Sequence, residues 1–242
     1  MAELWDAKTK NSGNISDQTN IKAILKLTGN LKGKNVYEIA CGNGYLSRKI
    51  KKAGAKEVYA SDASPTLIHF AETKYENLGI KFSTREGADA TKLPKKFFDA
   101  VIIHQGIFYI KDIPKLMKAI ASILKTDGKV IFTVTHPLYQ VFRAKLGLTK
   151  LEGKNSLIET LEKYPKNFTK PVHKHWLVNS KVMVGNYFAY SRPLEYYVEQ
   201  CAKAGLLIEA IKETPSMGRK DKLRIIKSPM PSSFVIKAIK VK

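Results

Sequence analysis

The stretch "VYEIACGNGY", residues 36–45, decides the fold. It reads as a short apolar strand that carries a carboxylate, Glu38, and ends in a turn with Gly42 and Gly44. Two glycines beside a strand end indicate a tight turn that another molecule approaches closely. A helix is expected to begin near Tyr45, and the N–H groups of its first turn suit an anionic group. We therefore predict a strand–turn–helix unit with a ligand at the strand end.

The neighbouring segments repeat this alternation. Strand-like segments such as Glu57–Asp62 alternate with helical segments throughout residues 35–134, and a helix from Ile113 is expected to end at Gly128. Such alternation predicts an α/β fold, here a doubly wound, mostly parallel, Rossmann-like sheet. A last helix is expected from Pro193, followed by two strands that pair antiparallel.

The composition is that of a globular protein. Of the 242 residues, 44% are hydrophobic and 26% are charged, which excludes an intrinsically disordered chain. The apolar runs are too short for a transmembrane helix, and the N-terminus lacks the apolar segment of a secretory signal. The two cysteines, Cys41 and Cys201, make no disulfide framework, which favours a reducing, cytoplasmic location. We expect a monomer or a homodimer.

The net charge is unusual. The chain has 42 Lys and Arg residues against 21 Asp and Glu residues, a net charge of +21, which suits nucleic acid, an anionic membrane surface or an anionic substrate. Most of the excess is lysine, spread evenly without an arginine-rich block or aromatic–basic alternation. We interpret it as a solvated surface, expect no membrane partner, and favour a small molecule over nucleic acid.

Acidic residues mark the first three predicted strands. Glu38 lies in the first, Asp62 ends the second and Asp89 follows the third. A dinucleotide is disfavoured, because Ser47 replaces the third glycine of G-x-G-x-x-G and Glu38 would repel a pyrophosphate. Asp62 suits ribose hydroxyls, Asp89 and the N–H of Ala90 suit adenine, and Glu38 suits a cationic group. S-adenosylmethionine carries all three groups.

On these residues, the chain resembles the class I S-adenosylmethionine-dependent methyltransferases, and most of all their small-molecule, type 11-like branch. The resemblance covers about residues 31–135 and rests on "EIACGNG", Asp62, "GADATKLP" and "LKTDGKVIFTVTHP", in this order. It implies a seven-stranded sheet of order 3-2-1-4-5-7-6 with the last strand antiparallel. It also implies methyl transfer from S-adenosyl-L-methionine, with S-adenosyl-L-homocysteine as the product.

The resemblance further implies a cofactor site at the carboxyl ends of the first four strands. It places Asp62 on the ribose, Asp89 near the adenine and His104 near the methionine end. Cys41 is expected to be a small residue that fits the turn rather than a nucleophile. The predicted cofactor-binding residues are Glu38, Ala40, Cys41, Gly42, Gly44, Asp62, Ala63, Asp89, Ala90, His104 and Gln105.

Two histidines end central strands at the predicted ligand edge. His104 follows the fourth strand and His136 the fifth, and both are predicted catalytic residues because a histidine can take a proton from an acceptor. His173 and His175 lie two residues apart, but with no nearby carboxylate or cysteine we expect no metal site. The residues predicted to contact the acceptor are Tyr109, His136, Trp176, Tyr187, Tyr190 and Arg192.

The chain is expected to form one methyltransferase domain over residues 1–242. The aromatic-rich stretch after the fifth strand has no clean periodicity and is too long for a simple connection, so we interpret it as an inserted substrate cap. The predicted segments are an N-terminal helical lid (1–31), a cofactor-binding core (32–137), the cap insertion (138–192), and a C-terminal helix with a β-hairpin (193–242).

The predicted function is methyl transfer to a small-molecule acceptor by in-line displacement, with the lid and the cap closing over the site. An RNA methyltransferase is the first alternative, motivated by the charge of +21. Against it, the fourth strand ends in "HQGI", where amino-group nucleic-acid methylases carry an Asn/Asp-Pro-Pro-aromatic motif. A non-catalytic S-adenosylmethionine-binding protein is the second alternative, and a nicotinamide dehydrogenase is a more distant one.

Overall fold

The computed structural model describes residues 15–90, 93–136, 171–174, 177–178, 181–182, 187–190, 192–215 and 231–241. The strands are β1 (Asn35–Ile39), β2 (Glu57–Asp62), β3 (Ile80–Thr84), β4 (Phe98–Ile103), β5 (Leu124–Thr135), β6 (Pro171–Lys174), β7 (Leu177–Val178), β8 (Lys181–Val182), β9 (Tyr187–Tyr190), β10 (Leu206–Pro215) and β11 (Pro231–Lys240). The α-helices are α1 (Ile15–Thr28), α2 (Tyr45–Lys52), α3 (Pro65–Tyr75), α4 (Ile113–Ile123) and α5 (Leu194–Lys203). Two short 3-10 turns are Glu76–Leu78 and Ile107–Tyr109.

Seven strands form one sheet in the order β3-β2-β1-β4-β5-β11-β10. Strands β1 to β5 run parallel, and β11 is antiparallel to both β5 and β10. Counted in chain order within this sheet, the strands follow 3-2-1-4-5-7-6, which confirms the predicted order and the antiparallel last strand. The order reverses between β1 and β4, so the carboxyl ends of these two strands flank the topological switch point, where open α/β sheets bind ligands.

Alternating residues of the central strands face two apolar layers. In β4, Val101 and Ile103 pack in the cluster that includes α4 and α5, whereas Ala100 and Ile102 pack in the cluster that includes α1 and α2. Burial on both faces is typical of parallel strands covered by helices. The doubly wound architecture is therefore confirmed. None of the helices that the structure describes is both long enough and apolar enough to span a membrane.

Helix α4 ends earlier than the sequence predicts. The expected end was Gly128, but α4 ends at Ile123 and β5 begins at Leu124. Leu124 is extended (φ −68°, ψ 141°) and pairs with Phe98 of β4, which buries its side chain. Gly128 lies in the irregular start of β5, where a Cβ atom would come within 2.8 Å of the carbonyl oxygen of Lys125. The prediction was wrong because this glycine serves a close backbone approach within a strand and not a helix end.

Helix α1 is part of the packing of the sheet. Ile21 and Ile24 are buried in the apolar cluster between α1 and one face of the sheet. Asn20 is also buried, accepts a hydrogen bond from Thr214 of β10, and donates one to Ser233 of β11. These contacts fix α1 against the last two strands. The first 14 residues of the predicted lid lie outside the described residues, and closure over the site stays a prediction.

The described parts of the predicted cap form two small antiparallel ladders apart from the large sheet. Strand β6 pairs with β9, and β7 pairs with β8. Strand β9 lies against the 3-10 turn Ile107–Tyr109 that follows β4. Arg192 holds the same junction, because its Nη2 atom donates to the carbonyl oxygens of Ile110 (3.0 Å) and Lys111 (2.7 Å). The segment boundaries given above stay predictions.

Candidate active site

The turn after β1 has the backbone that its glycines predict. Gly42 and Gly44 have φ values of +57° and +73°, and Ala40 is left-handed as well, at +57°. Gly44 is the N-cap residue of α2, and a Cβ atom there would lie 2.9 Å from the ring of Phe82 in β3. Position 44 therefore requires glycine both for its backbone conformation and for space.

Gly44→Ala should destabilise the protein more than Gly79→Ala. Both positions are left-handed, at +73° and +62°, which costs an L-residue about 1–2 kcal/mol. A Cβ atom on Gly79 meets nothing within 4 Å, whereas one on Gly44 meets Phe82 at 2.9 Å and Ala71 at 3.2 Å. Overpacking adds about 1–3 kcal/mol. Chemical denaturation of the two variants measures the difference, and equal losses would refute the steric part.

Asp62 ends β2 and braces this turn. Its Oδ2 atom accepts a hydrogen bond from the backbone N–H of Gly42 (2.9 Å), and its Oδ1 atom accepts one from Ser64 (3.0 Å). Each carboxylate oxygen offers two acceptor positions, so each retains one for a further donor. The residue is only half-buried. The carboxylate is thus oriented and accessible for two hydroxyl groups, as a ribose presents.

Glu38 is buried beneath the same turn, with 2% of its surface exposed. Burial raises the pKa of its carboxyl to about 8, the negative charge of Asp62 adds to the rise, and hydrogen bonds from Ser47 oppose it. A cation placed beside such a carboxyl would favour its ionised form. Without such a cation, burial favours the neutral carboxyl, and contact of Glu38 with a cationic group stays a prediction.

Glu38 should make the ligand-free protein less stable as the pH rises. Its pKa is about 8 in the folded protein against an ordinary value of 4.5, so between these values the folded state binds more protons than the unfolded state. The stability from protonated Glu38 is full below pH 4.5 and is lost as the pH rises through about 8. Relative to Glu38→Gln, the wild type should lose on the order of a few kcal/mol between about pH 5 and about pH 8.5.

Denaturant unfolding at both pH values measures this difference. Glu199→Gln is the matched control, because Glu199 is an exposed glutamate of α5 whose side chain is 60% accessible. We expect Glu199→Gln to follow the pH dependence of the wild type. A Glu38→Gln variant that also follows the wild type would show that Glu38 does not titrate in this range.

Ser47 serves the site in a way that its sequence position did not reveal. In the sequence it appears only as the residue that breaks the dinucleotide motif. In the structure its side chain is fully buried in α2, and its hydroxyl donates a hydrogen bond to Glu38. The sequence signal that could have predicted this bond is a hydroxyl residue in the first turn of the helix that follows a strand with a buried acid.

Cys41 is a small, buried residue of the turn, with 6% of its surface exposed. Its N–H donates to the carbonyl oxygen of Ser61 (2.9 Å). Burial, reinforced by the charges of Glu38 and Asp62, raises the pKa of its thiol well above the ordinary value. Because the thiolate is the nucleophilic form, this environment suits a residue that fits the turn and disfavours a nucleophile.

The third predicted turn follows β3. The carboxylate of Asp89 lies 3.4 Å from Nη1 of Arg85, and 42% of the Asp89 side chain is accessible. Ala90 is buried and Ala63, directly after β2, is exposed. The side chain of Asp89 is thus paired with Arg85 and partly accessible to solvent. Contact of these three predicted residues with an adenine ring stays a prediction.

The turn after β4 lies against the turn after β1. Gln105 is left-handed (φ +55°), and its N–H donates to Oγ1 of Thr133 in β5 (2.7 Å). Gly106 is buried, and a Cβ atom there would collide with the Cβ atom of Ala40. The structure therefore brings the first and fourth turns together at the switch point, and binding of a cofactor there stays a prediction.

His104 directly follows β4. Its Nδ1 atom is inaccessible to solvent, and burial lowers the pKa of its imidazole to about 4. A base with this pKa is neutral near pH 7 and takes up a proton poorly there. Of the two predicted catalytic histidines, His104 is better suited to contact a ligand than to remove a proton from it.

His136 follows β5 and is held by the last two strands. It is 6% exposed, and its N–H donates to the carbonyl oxygen of Ser232 (2.9 Å). Its ring lies 4.4 Å from that of Phe234, and its Nε2 atom lies 3.5 Å from Oε1 of Glu213. Glu213 was not apparent from the sequence, because it lies in no motif and on a strand distant in the chain.

The predicted acceptor-contacting residues are described in part. Tyr109 ends the 3-10 turn after β4, against which β9 packs. Tyr190 ends β9, and the guanidinium of Arg192 lies 4.6 Å from the centre of its ring. The structure thus brings three of these residues to one junction beside β4. Two predicted acceptor residues, Trp176 and Tyr187, and the two histidines considered for a metal, His173 and His175, lie outside the described residues. For His173 and Tyr187 this applies to the side chains only.

The sheet order, with a glycine turn and a buried acid at β1 and a second acid ending β2, agrees with the predicted fold of the class I S-adenosylmethionine-dependent methyltransferases. Residues 37–132 match the family model described as "Methyltransferase domain". This part of the chain therefore resembles a methyltransferase domain that uses S-adenosylmethionine as its cofactor.

Individual relatives are distant. The chain is 26% identical over 145 residues to a ubiquinone biosynthesis O-methyltransferase of Coxiella burnetii, covering 59% of each protein. An S-adenosylmethionine-dependent methyltransferase from Mesorhizobium loti has a similar fold (TM-score 0.64, 16% identity, 93% of this chain and 97% of that one). So does geranyl diphosphate C-methyltransferase from Streptomyces coelicolor A3(2) (TM-score 0.62, 12% identity, 93% and 78%). The chain spans about half the length of the curated relatives it matches.

Proposed function

We propose that this protein is an S-adenosylmethionine-dependent methyltransferase that acts on a small-molecule acceptor by in-line displacement. One observation carries the proposal: within a methyltransferase domain, the carboxylate of Asp62 is held by two backbone N–H groups and keeps an acceptor position on each oxygen. This arrangement suits the two hydroxyls of a ribose.

Different residues of the chain bind different parts of the cofactor. Asp62 binds the ribose, Asp89 and Ala90 lie at the adenine, and Glu38 faces the cationic methionine end, where a positive charge favours its ionised form. When bound, S-adenosylmethionine supplies a methyl group activated by its positively charged sulfur. The protein then has to align the acceptor with that methyl group and to exclude water.

The acceptor lies on the side of β4 and β5. Tyr109, Tyr190 and Arg192 meet beside the end of β4, and His136 follows β5. The lid and the cap close over this side and select the acceptor. One relative is a ubiquinone biosynthesis O-methyltransferase and one protein of similar fold is a geranyl diphosphate C-methyltransferase, which supports a small-molecule acceptor here. Two free, buried cysteines support a reducing, cytoplasmic location.

RNA is the second candidate acceptor, favoured by the net charge of +21 and by one groove. Lys22 and Lys26 of α1, with Lys212 and one carboxylate, Glu213, of β10, line a groove of about 240 Å³ between these elements. Exposed lysines attract phosphate groups without base specificity. A steep fall of affinity for RNA with rising salt would support this candidate.

Calorimetric titration with S-adenosylmethionine and S-adenosylhomocysteine tests the proposal. We expect affinities in the micromolar range, about −8 kcal/mol. Transfer of a radiolabelled methyl group is then followed into the small-molecule fraction and the RNA fraction of a cell extract. Label in the small-molecule fraction supports the proposal, and label only in RNA supports the second candidate. Binding without transfer indicates a non-catalytic binding protein, and absence of binding refutes all three.

A further inference from the structure

His136 belongs to a row of side chains across three strands. Phe234 of β11 pairs with Val134 of β5 on one side and with Glu213 of β10 on the other. Directly paired residues place their side chains on the same face of a sheet, and His136 follows two residues after Val134. The imidazole, the phenyl ring and the carboxylate therefore lie side by side at the edge where the candidate active site is located.

Contacts with β10 and β11 hold His136 in this row. Its backbone N–H donates to Ser232 (2.9 Å), and its ring packs on Phe234 at 4.4 Å with an interplanar angle of 36°. Its Nε2 atom lies 3.5 Å from Oε1 of Glu213. The side chain of His136 is 8% accessible and that of Glu213 is 59% accessible, so the carboxylate approaches a buried imidazole from the solvent side.

The backbone that carries Glu213 is itself fixed. The adjacent Thr214 is 1% exposed. Its hydroxyl lies within hydrogen-bond distance of the carbonyl oxygen of Ser233 (3.1 Å) and of the side chain of Asn20. Its carbonyl oxygen accepts from the hydroxyl of Ser232 (3.3 Å). Although the side chain of Glu213 is exposed, the backbone beside it is held by α1 and β11. This limits the positions that its carboxylate can reach.

An ion pair with one exposed partner contributes little to folding, on the order of 0–1 kcal/mol. The effect of Glu213 is therefore expected in the orientation of the ring. A carboxylate that faces one nitrogen of an imidazole selects the tautomer with the proton on that nitrogen, and it stabilises the positive charge that the ring gains when its other nitrogen takes up a proton.

We propose that Glu213 is the positioning residue of His136 and that His136 accepts the proton of a hydroxyl acceptor; the proton-transfer part rests on the proposed function. The acceptor oxygen forms a bond to the methyl carbon while the carbon–sulfur bond of the cofactor breaks and its electron pair stays on sulfur. The hydroxyl proton passes to the ring nitrogen of His136 that does not face Glu213. A carboxylate acceptor would need no such base, so the pair disfavours a carboxylate, and the proposal takes a hydroxyl as the acceptor.

The ring tautomer of His136 tests the positioning role without a known acceptor. The full chain is labelled with ¹⁵N-histidine, its five histidines are recorded by long-range ¹⁵N–¹H correlation at a pH where the rings are neutral, and His136→Gln assigns the signal. We expect the proton of His136 on Nε2. Glu213→Ala should convert this single form to a mixture, and Glu213→Gln, which retains an acceptor oxygen, should keep it.

Glu209→Ala is the matched control. Glu209 lies on the same strand, is exposed, and pairs with Lys237 at 2.9 Å; its removal should leave the His136 signal unchanged. A wild-type proton on Nδ1, or a Glu213→Ala spectrum identical to that of the wild type, would overturn the positioning role.

Titration of the same variants with S-adenosylmethionine separates this inference from the proposed function. Glu213 lies outside the turns after β1 and β2, so we expect the wild-type affinity in Glu213→Ala. A wild type that fails to bind overturns the proposed function and the proton-transfer part, whereas the tautomer result decides the positioning role alone. With a hydroxyl acceptor in hand, Glu213→Ala should lower kcat at least about tenfold with unchanged cofactor affinity.

Discussion

Asp62→Ala is expected to abolish measurable binding of S-adenosylmethionine and S-adenosylhomocysteine. The substitution removes the acceptors for two ribose hydroxyls, each bond to a charged group being worth about 1.5–3 kcal/mol. It also releases the N–H groups of Gly42 and Ser64, which the carboxylate holds at 2.9 and 3.0 Å. The combined loss of about 3–6 kcal/mol weakens binding at least about 100-fold. Calorimetric titration measures it.

Asp112→Ala is the matched control for this prediction. Asp112 also accepts a backbone hydrogen bond, from Lys115 at 2.9 Å, and it is the N-cap residue of α4. Its loss should cost about 1 kcal/mol of stability and should leave the affinity unchanged. Asp62→Asn, which retains one acceptor oxygen, should bind with an intermediate affinity. Equal affinities of Asp62→Ala and the wild type would remove Asp62 from the site.

Gly106→Ala is expected to have the second largest effect, on stability and on cofactor binding together. Gly106 is buried, and a Cβ atom there would collide with that of Ala40, so the turns after β1 and β4 would have to separate. Such overpacking costs about 1–3 kcal/mol. Because Ala40 lies only two residues before Gly42, the separation should also displace the backbone that meets the cofactor. Denaturation and titration measure the two effects.

The collision predicts its own rescue. Ala40→Gly removes the obstructing methyl group and also relieves a left-handed residue (φ +57°), which costs an L-residue about 1–2 kcal/mol. The double variant Ala40→Gly/Gly106→Ala should therefore recover most of the stability and affinity that Gly106→Ala loses. Additive effects of the two substitutions would show that the loss has another origin.

The sequence predicted the elements whose signals are local, together with the part of the site that the chain motif carries. The left-handed Gly42 and Gly44 and the acid that ends β2 follow from residue types within a few positions of one another. The predicted end of α4 was wrong because Leu124 pairs with Phe98 of β4, and pairing with a strand outside the helix leaves no mark in the helical pattern.

The sequence by itself determined the alternation of strands and helices, the glycine turn and the acids placed after the strands, because backbone conformation and side-chain periodicity depend on near neighbours. The tertiary structure alone decided which of these residues meet. The bond between Ser47 and Glu38 depends on how α2 packs against β1. The approach of Gly106 to Ala40 and the position of Glu213 beside His136 depend on the register of elements distant in the chain. That register is set by the packing of the whole sheet, and no single stretch of sequence contains enough information to predict it.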